Sequence, residues 1–117
     1  MRHRFDDGTA YLCSLQDVSV PGEMAREMLH REARHWFEMK TISYRRQYAA
    51  KGANEQIDLV IQTHYEPKAR IGMFIVLGNG EQYEIQDCTV IRDQETRKRV
   101  TEYTLKRLED FYDLEPE

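Results

Sequence analysis

Residues 71–92 constrain the fold of this chain more than any other stretch. An apolar run, Ile71-Gly72-Met73-Phe74-Ile75-Val76-Leu77, enters Gly78-Asn79-Gly80 and leaves through a β-prone run from Gln82 to Arg92. The first run is too short for an ordinary helix, and an Asn-Gly step between apolar segments favours a tight reversal because both residues tolerate positive φ. The stretch therefore reads as a hairpin. Tyr83, Ile85, Val90 and Ile91 are the apolar positions of its return strand, and Asp87-Cys88 marks an expected bulge. A lone hairpin is marginal in water, so further strands must cover it.

Such strands are legible on both sides. Thr9 to Val20 contains Ala10-Tyr11-Leu12-Cys13-Ser14-Leu15 and stops at Pro21-Gly22, a turn signal. In Trp36 to Ser43, Phe37, Met39, Thr41 and Ser43 share one side of an extended chain, while Trp36, Glu38, Lys40 and Ile42 share the other. Ile57, Leu59 and Ile61 interleave with Asp58, Val60 and Gln62, the pattern of a strand with one wet face, and Glu66-Pro67 ends it. Two pieces read differently. Glu23 to His35, with Met24, Met28 and Leu29 at helical spacing, reads as a short helix or an ordered loop. Tyr44 to Gly52 reads as a helix of about two turns, with Tyr44 and Tyr48 four apart and Gly52 suited to the cap.

Asp93-Gln94-Glu95-Thr96 reads as a turn, and Arg97 to Asp110 fits both periods; β-branched Val100, Thr101 and Thr104 favour a strand, with a helical turn near Phe111. The expectation is a mainly β single domain over residues 1–117. It is a small β-barrel or sandwich of about six strands with one or two short helices, frayed at 1–8 and 113–117.

Composition narrows the function. A chain of 117 residues that is 40% hydrophobic and 32% charged buries one modest core beneath a heavily charged surface. Its formal charge of −4 argues against tight binding to many phosphates. No apolar run approaches the roughly 18 residues that span a bilayer, and Met1 to Asp6 lacks the apolar stretch of a signal peptide, so a cytosolic protein is expected. Cys13 and Cys88 lie far apart with no CxxC partner and read as reduced packing residues. His3, His30, His35 and His64 show no ligand spacing.

No GxSxG, P-loop or HExxH motif is present, and the acid pairs Asp6-Asp7 and Glu109-Asp110 read as solvated faces. A non-enzymatic protein without catalytic residues, cofactor or metal is expected.

The order of elements resembles head-closure and head-tail joining proteins of tailed bacteriophages and prophages. The resemblance rests on Ile42-Ser43-Tyr44-Arg45-Arg46-Gln47-Tyr48-Ala49-Ala50-Lys51-Gly52, on Ile57-Asp58-Leu59-Val60-Ile61 and on Gly80-Glu81-Gln82-Tyr83-Glu84-Ile85, and it covers roughly residues 36 to 110. It implies a virion structural protein of the neck, a head-tail connector assembled as an oligomeric ring through which DNA passes without sequence-specific binding. Implied partners are further copies of the chain, a portal or adaptor protein and a tail component, with no membrane. The implied location is the host cytoplasm, then the virion neck.

Contacts are expected at Tyr44, Arg45, Arg46, Tyr48, Lys51, Asn79, Arg97, Lys98 and Arg99. The basic clusters with nearby tyrosines could instead contact phosphates and stack on bases, as in a small β-barrel nucleic-acid-binding module, or simply guard exposed strand edges. In a ring whose subunits present two different surfaces to each other, the acidic tail Glu115-Pro116-Glu117 and the basic Arg97 turn are candidates to meet.

Overall fold

The computed structural model describes residues 5–42, 56–94 and 96–115. They form β1 (Gly8–Asp17), β2 (Glu27–Lys40), β3 (Leu59–His64), β4 (Phe74–Leu77), β5 (Gln82–Arg92), β6 (Arg99–Arg107) and a short β7 (Asp113–Leu114). The protein is mainly β, and among the described residues there is no helix.

Six strands follow one another in the order β1-β4-β5-β6-β3-β2, and β2 pairs back to β1, so the sheet closes into a ring whose pairings are all antiparallel. Closure pairs strands that an open sheet would leave as edges. β7 lies outside the ring and pairs in parallel with β2 at Met28 and Leu29.

Alternation decides what the ring encloses. Ala10, Leu12, Phe37, Ile61, Ile75, Leu77, Tyr83, Ile85, Tyr103 and Leu105 form its interior core. A second apolar cluster, Cys13, Leu29, Phe74 and Val76, lies outside under Leu108, Tyr112 and Leu114. These covering residues belong to a strap that leaves β6 and crosses to β2. Gln82 Nε2 donates to Tyr112 O and Gln82 Oε1 accepts from Tyr112 N, both at 2.8 Å; Phe74 meets the Tyr112 ring edge-on; Glu115 N donates to Leu29 O at 2.9 Å. The chain expected to fray from residue 113 is thus tied down through Glu115.

The central hairpin forms as expected. Gly80 N donates to Leu77 O and Leu77 N to Glu81 O, both at 2.9 Å, and Gly80 takes φ +91°. This is a three-residue reversal with glycine in the left-handed position rather than a two-residue Asn-Gly turn. Asn79 Oδ1 accepts from Glu81 N at 3.0 Å. The β5 register shifts between Ile85 and Asp87, one residue before the expected bulge.

Three expectations are corrected. Residues 27–35, read as part of a helix or loop, are the first half of β2: Met28 and Leu29 sit opposite Gln16 and Leu15, and a register shift opposite Leu12/Cys13 leaves Glu32 as an extra residue. Cross-strand pairing here overrides the helix propensity of Glu, Met and Ala. β3 has no wet face over Val60–Thr63, all of them buried, and Gln62 Nε2 donates to Glu102 Oε2 at 2.8 Å. The strand expected within Arg97–Asp110 forms as β6 over Arg99–Arg107, and what is corrected is the helical turn expected near Phe111, which is absent. The helix expected at Tyr44–Gly52 lies outside the described residues.

Candidate interface at the ends of the ring

Strand directions divide the ring into two ends. At one end lie the Gly78–Glu81 turn, the start of β1, the last residues of β2, the first of β3 and the last of β6. At the other, two hairpins extend past the ring. β1 and β2 pair as far as Asp17 opposite Glu27, although β1 leaves β4 after Cys13. β5 and β6 pair as far as Arg92 opposite Arg99, although β5 pairs with β4 only over Gln82–Glu84. A long axis of 55 Å against a short one of 23 Å matches these arms.

The β5–β6 tip is a cluster of cations. Arg92, Arg97, Lys98 and Arg99 are all exposed. Asp93 N donates to Lys98 O at 2.9 Å and Arg97 N to Asp93 O at 2.7 Å, which closes the turn. Arg97 has φ 58°, a left-handed conformation that glycine or asparagine would adopt more easily. The Arg99 guanidinium sits 4.1 Å from the centre of the Tyr65 ring, a cation–π contact.

The β1–β2 tip is ordered by its own hydrogen bonds. Val18 N donates to Arg26 O at 2.9 Å, Arg26 N to Ser19 Oγ at 2.7 Å and Ser19 N to Asp17 Oδ1 at 2.8 Å. The Ser19 side chain and amide hold the Asp17 carboxyl below its usual range. This ordered loop still presents Val20 and Met24 at 55% and 90% exposure.

The expected contact residues therefore do not form one patch. Arg97, Lys98 and Arg99 stand together at one end. Asn79 stands at the other, its side chain occupied within its own turn. Tyr44, Arg45, Arg46, Tyr48 and Lys51 lie outside the described residues, whose flanking strand ends, Lys40 and Leu59, belong to the Asn79 end. Arg92 and Tyr65 completed the basic tip without being foreseen. The signal for Arg92 was its position five residues before Arg97 across an expected turn; nothing local marked Tyr65.

The segment between β3 and β4 covers the ring interior at the arm end, with Ala69 buried in the core. It is held by His35 Nε2 at 2.9 Å from Glu66 Oε1, by Lys68 N donating to Glu66 Oε2 at 2.8 Å and by Glu66 N donating to Thr101 Oγ1 at 2.9 Å. Burial alone would raise the Glu66 carboxyl, but the bonds from His35 and the Lys68 amide hold it below its ordinary value. The buried Tyr103 hydroxyl has no hydrogen-bond partner, and the nearby Thr63 hydroxyl donates to His64 O at 2.8 Å. Burial raises the Tyr103 pKa.

The cysteines are free. Cys13 is fully buried, and desolvation pushes its thiol up to about 11, away from the reactive thiolate. At the Asn79 end, Gln56, Asp58, Lys106, Arg107, Leu108, Glu109 and Phe111 line an open groove. Asp58 Oδ2 there accepts from Arg107 N at 2.7 Å. Among the described residues no three His, Cys, Asp or Glu side chains come together as a metal site.

No protein-family model matches the sequence, and no curated protein matches it. What the geometry offers is a closed sheet with two charged arms projecting from one end, an arrangement suited to contact with other macromolecules.

Proposed function

We propose that this protein is a structural component of a tailed-phage or prophage neck, closing the head or joining it to the tail through self-assembly and protein–protein contacts. One observation carries the reading. The described β segments on which the resemblance rests, Leu59–Ile61 and Gly80–Ile85, form parts of the wall of a six-stranded closed ring. Closure leaves little edge to pair at random, so specific contacts concentrate in the arms and turns. In this reading the protein has no catalytic step and no cofactor. Its partners are copies of itself, a portal or adaptor ring and a tail component, and DNA passes without sequence-specific binding. It moves from the host cytoplasm to the virion neck and has no membrane partner.

The test is the surrounding gene order together with the protein content of purified particles. Portal, capsid and tail genes alongside, with the chain in the particles, are the expected result; metabolic neighbours and absence from particles would overturn the reading.

The cation cluster at Arg92, Arg97, Lys98 and Arg99 favours a second reading, a small β-barrel module that contacts nucleic acid. Retention on single- or double-stranded DNA that weakens steeply with salt would support it, and no retention at low salt would remove it.

A further inference from the structure

The two arms that leave the ring at one end are complementary. The strand order sets β1 and β2 directly across the ring from β5 and β6, with β4 between them on one side and β3 on the other. They therefore stand on opposite sides of the ring within one molecule. Their charges oppose. Residues 17–27 carry Asp17, Glu23 and Glu27 against Arg26, a formal −2, while residues 92–99 carry Arg92, Arg97, Lys98 and Arg99 against Asp93 and Glu95, a formal +2.

Each arm also exposes apolar side chains: Val18, Val20 and Met24 on the first, Val90 and Ile91 on the second. Each has a strand edge that no described strand covers, Ser14–Asp17 of β1 beyond its pairing with β4 and Asp87–Arg92 of β5 beyond its own. Exposed edges of this kind accept a strand from another chain through main-chain hydrogen bonds.

We infer that the basic β5–β6 arm of one copy docks on the acidic β1–β2 arm of the next copy of the same chain. The inference rests on the self-assembling reading above and names the surfaces it would use. Two different surfaces on opposite sides of a subunit make a heterologous contact, which repeats from copy to copy and closes only as a ring. Opposite charge sets the direction, and the apolar residues beside it supply the area that is desolvated. The sequence offered the C-terminal tail as the acidic partner of the Arg97 turn. In the structure Glu115 is already engaged by His30 and Arg31 of its own chain, so the acidic role passes to the loop between β1 and β2.

The experiment uses the full chain carrying Cys88→Ser, to which Met24→Cys and Val90→Cys are added singly and together. Oxidised glutathione converts two thiols to a disulfide and is itself reduced to two thiols. A subunit with both cysteines can link to two different neighbours, so the double variant is expected to give a ladder through trimer and beyond on a non-reducing gel. Each single variant carries a thiol on only one side of the contact and is expected to stay monomeric. Adding Arg97→Glu with Lys98→Glu should abolish the ladder, and adding Glu23→Lys with Glu27→Lys to the same chain should restore it. Circular dichroism and melting curves confirm that each variant is folded. Arg97→Gly, which relieves the left-handed backbone, should melt above the parent yet give a weaker ladder.

A double variant that never exceeds dimer overturns the inference, as does a ladder undiminished by the charge reversal. Native mass spectrometry without oxidant separates the two failures. A higher oligomer with no ladder removes the arm contact and leaves self-assembly standing. Monomer with no ladder removes the arm contact, and the neck reading is then decided by particle composition.

Discussion

Tyr103 and Glu66 show how individual side chains are matched to a closed interior. Tyr103 is 0% exposed, and its hydroxyl makes no hydrogen bond, so its contribution is the packing of its ring. Tyr103→Phe removes a buried polar atom that gains nothing, and equilibrium urea unfolding is expected to show a change within about 1 kcal/mol, of either sign. Glu66 is the opposite case, a buried carboxylate met by His35 and the Lys68 amide. Glu66→Gln should cost about 1.5–3 kcal/mol at neutral pH, the range for hydrogen bonds to charged groups. Because its carboxyl is held below the ordinary 4.5, the stability it contributes is full above that value and is lost as pH falls through the lower folded-state value. Melting temperature measured against pH should show that acid-side loss in the parent and less of it in the variant.

Turns and the strap carry their own tests at the level of elements. A Cβ at Gly80 would meet nothing within 4 Å, so the obstacle to a side chain there is its φ of +91° alone. Gly80→Ala is expected to destabilise by about 1 kcal/mol in thermal or urea unfolding, with the ring intact. The strap depends on Gln82, whose amide makes both bonds to the Tyr112 backbone. Gln82→Ala should release it, and hydrogen exchange should speed up at the Tyr112 and Glu115 amides while strand amides within the ring keep their protection. Local pattern made the Gly78–Gly80 hairpin and β5 legible, because turn chemistry and alternation act over a few residues. It misread residues 27–35, where Met24, Met28 and Leu29 mimic helical spacing but partners far along the chain decide.

Across the whole molecule, ring closure depends on the short ladder of Phe37–Lys40 against Val60–Thr63. Phe37, 3% exposed, packs there into the interior core. Phe37→Ala is expected to cost about 3–5 kcal/mol in urea unfolding, a large share of the stability of a domain this size, because the cavity opens where three strands meet. A loss under 1 kcal/mol would show that the seam contributes little to closure.

The sequence alone determined a mainly β chain, the central hairpin, the strand that returns from it and the basic character of residues 97–99, since each follows from neighbours close along the chain. Only the tertiary structure decided that the strands close into a ring, that β3 is buried on both faces and that residues 113–115 are pinned to β2. It also set the Arg97 turn and the Asn79 turn at opposite ends, and gathered Arg92 and Tyr65 to the first. These depend on which strands pair across long stretches of sequence, and alternation tells which residues share a face without telling which strand lies beside it.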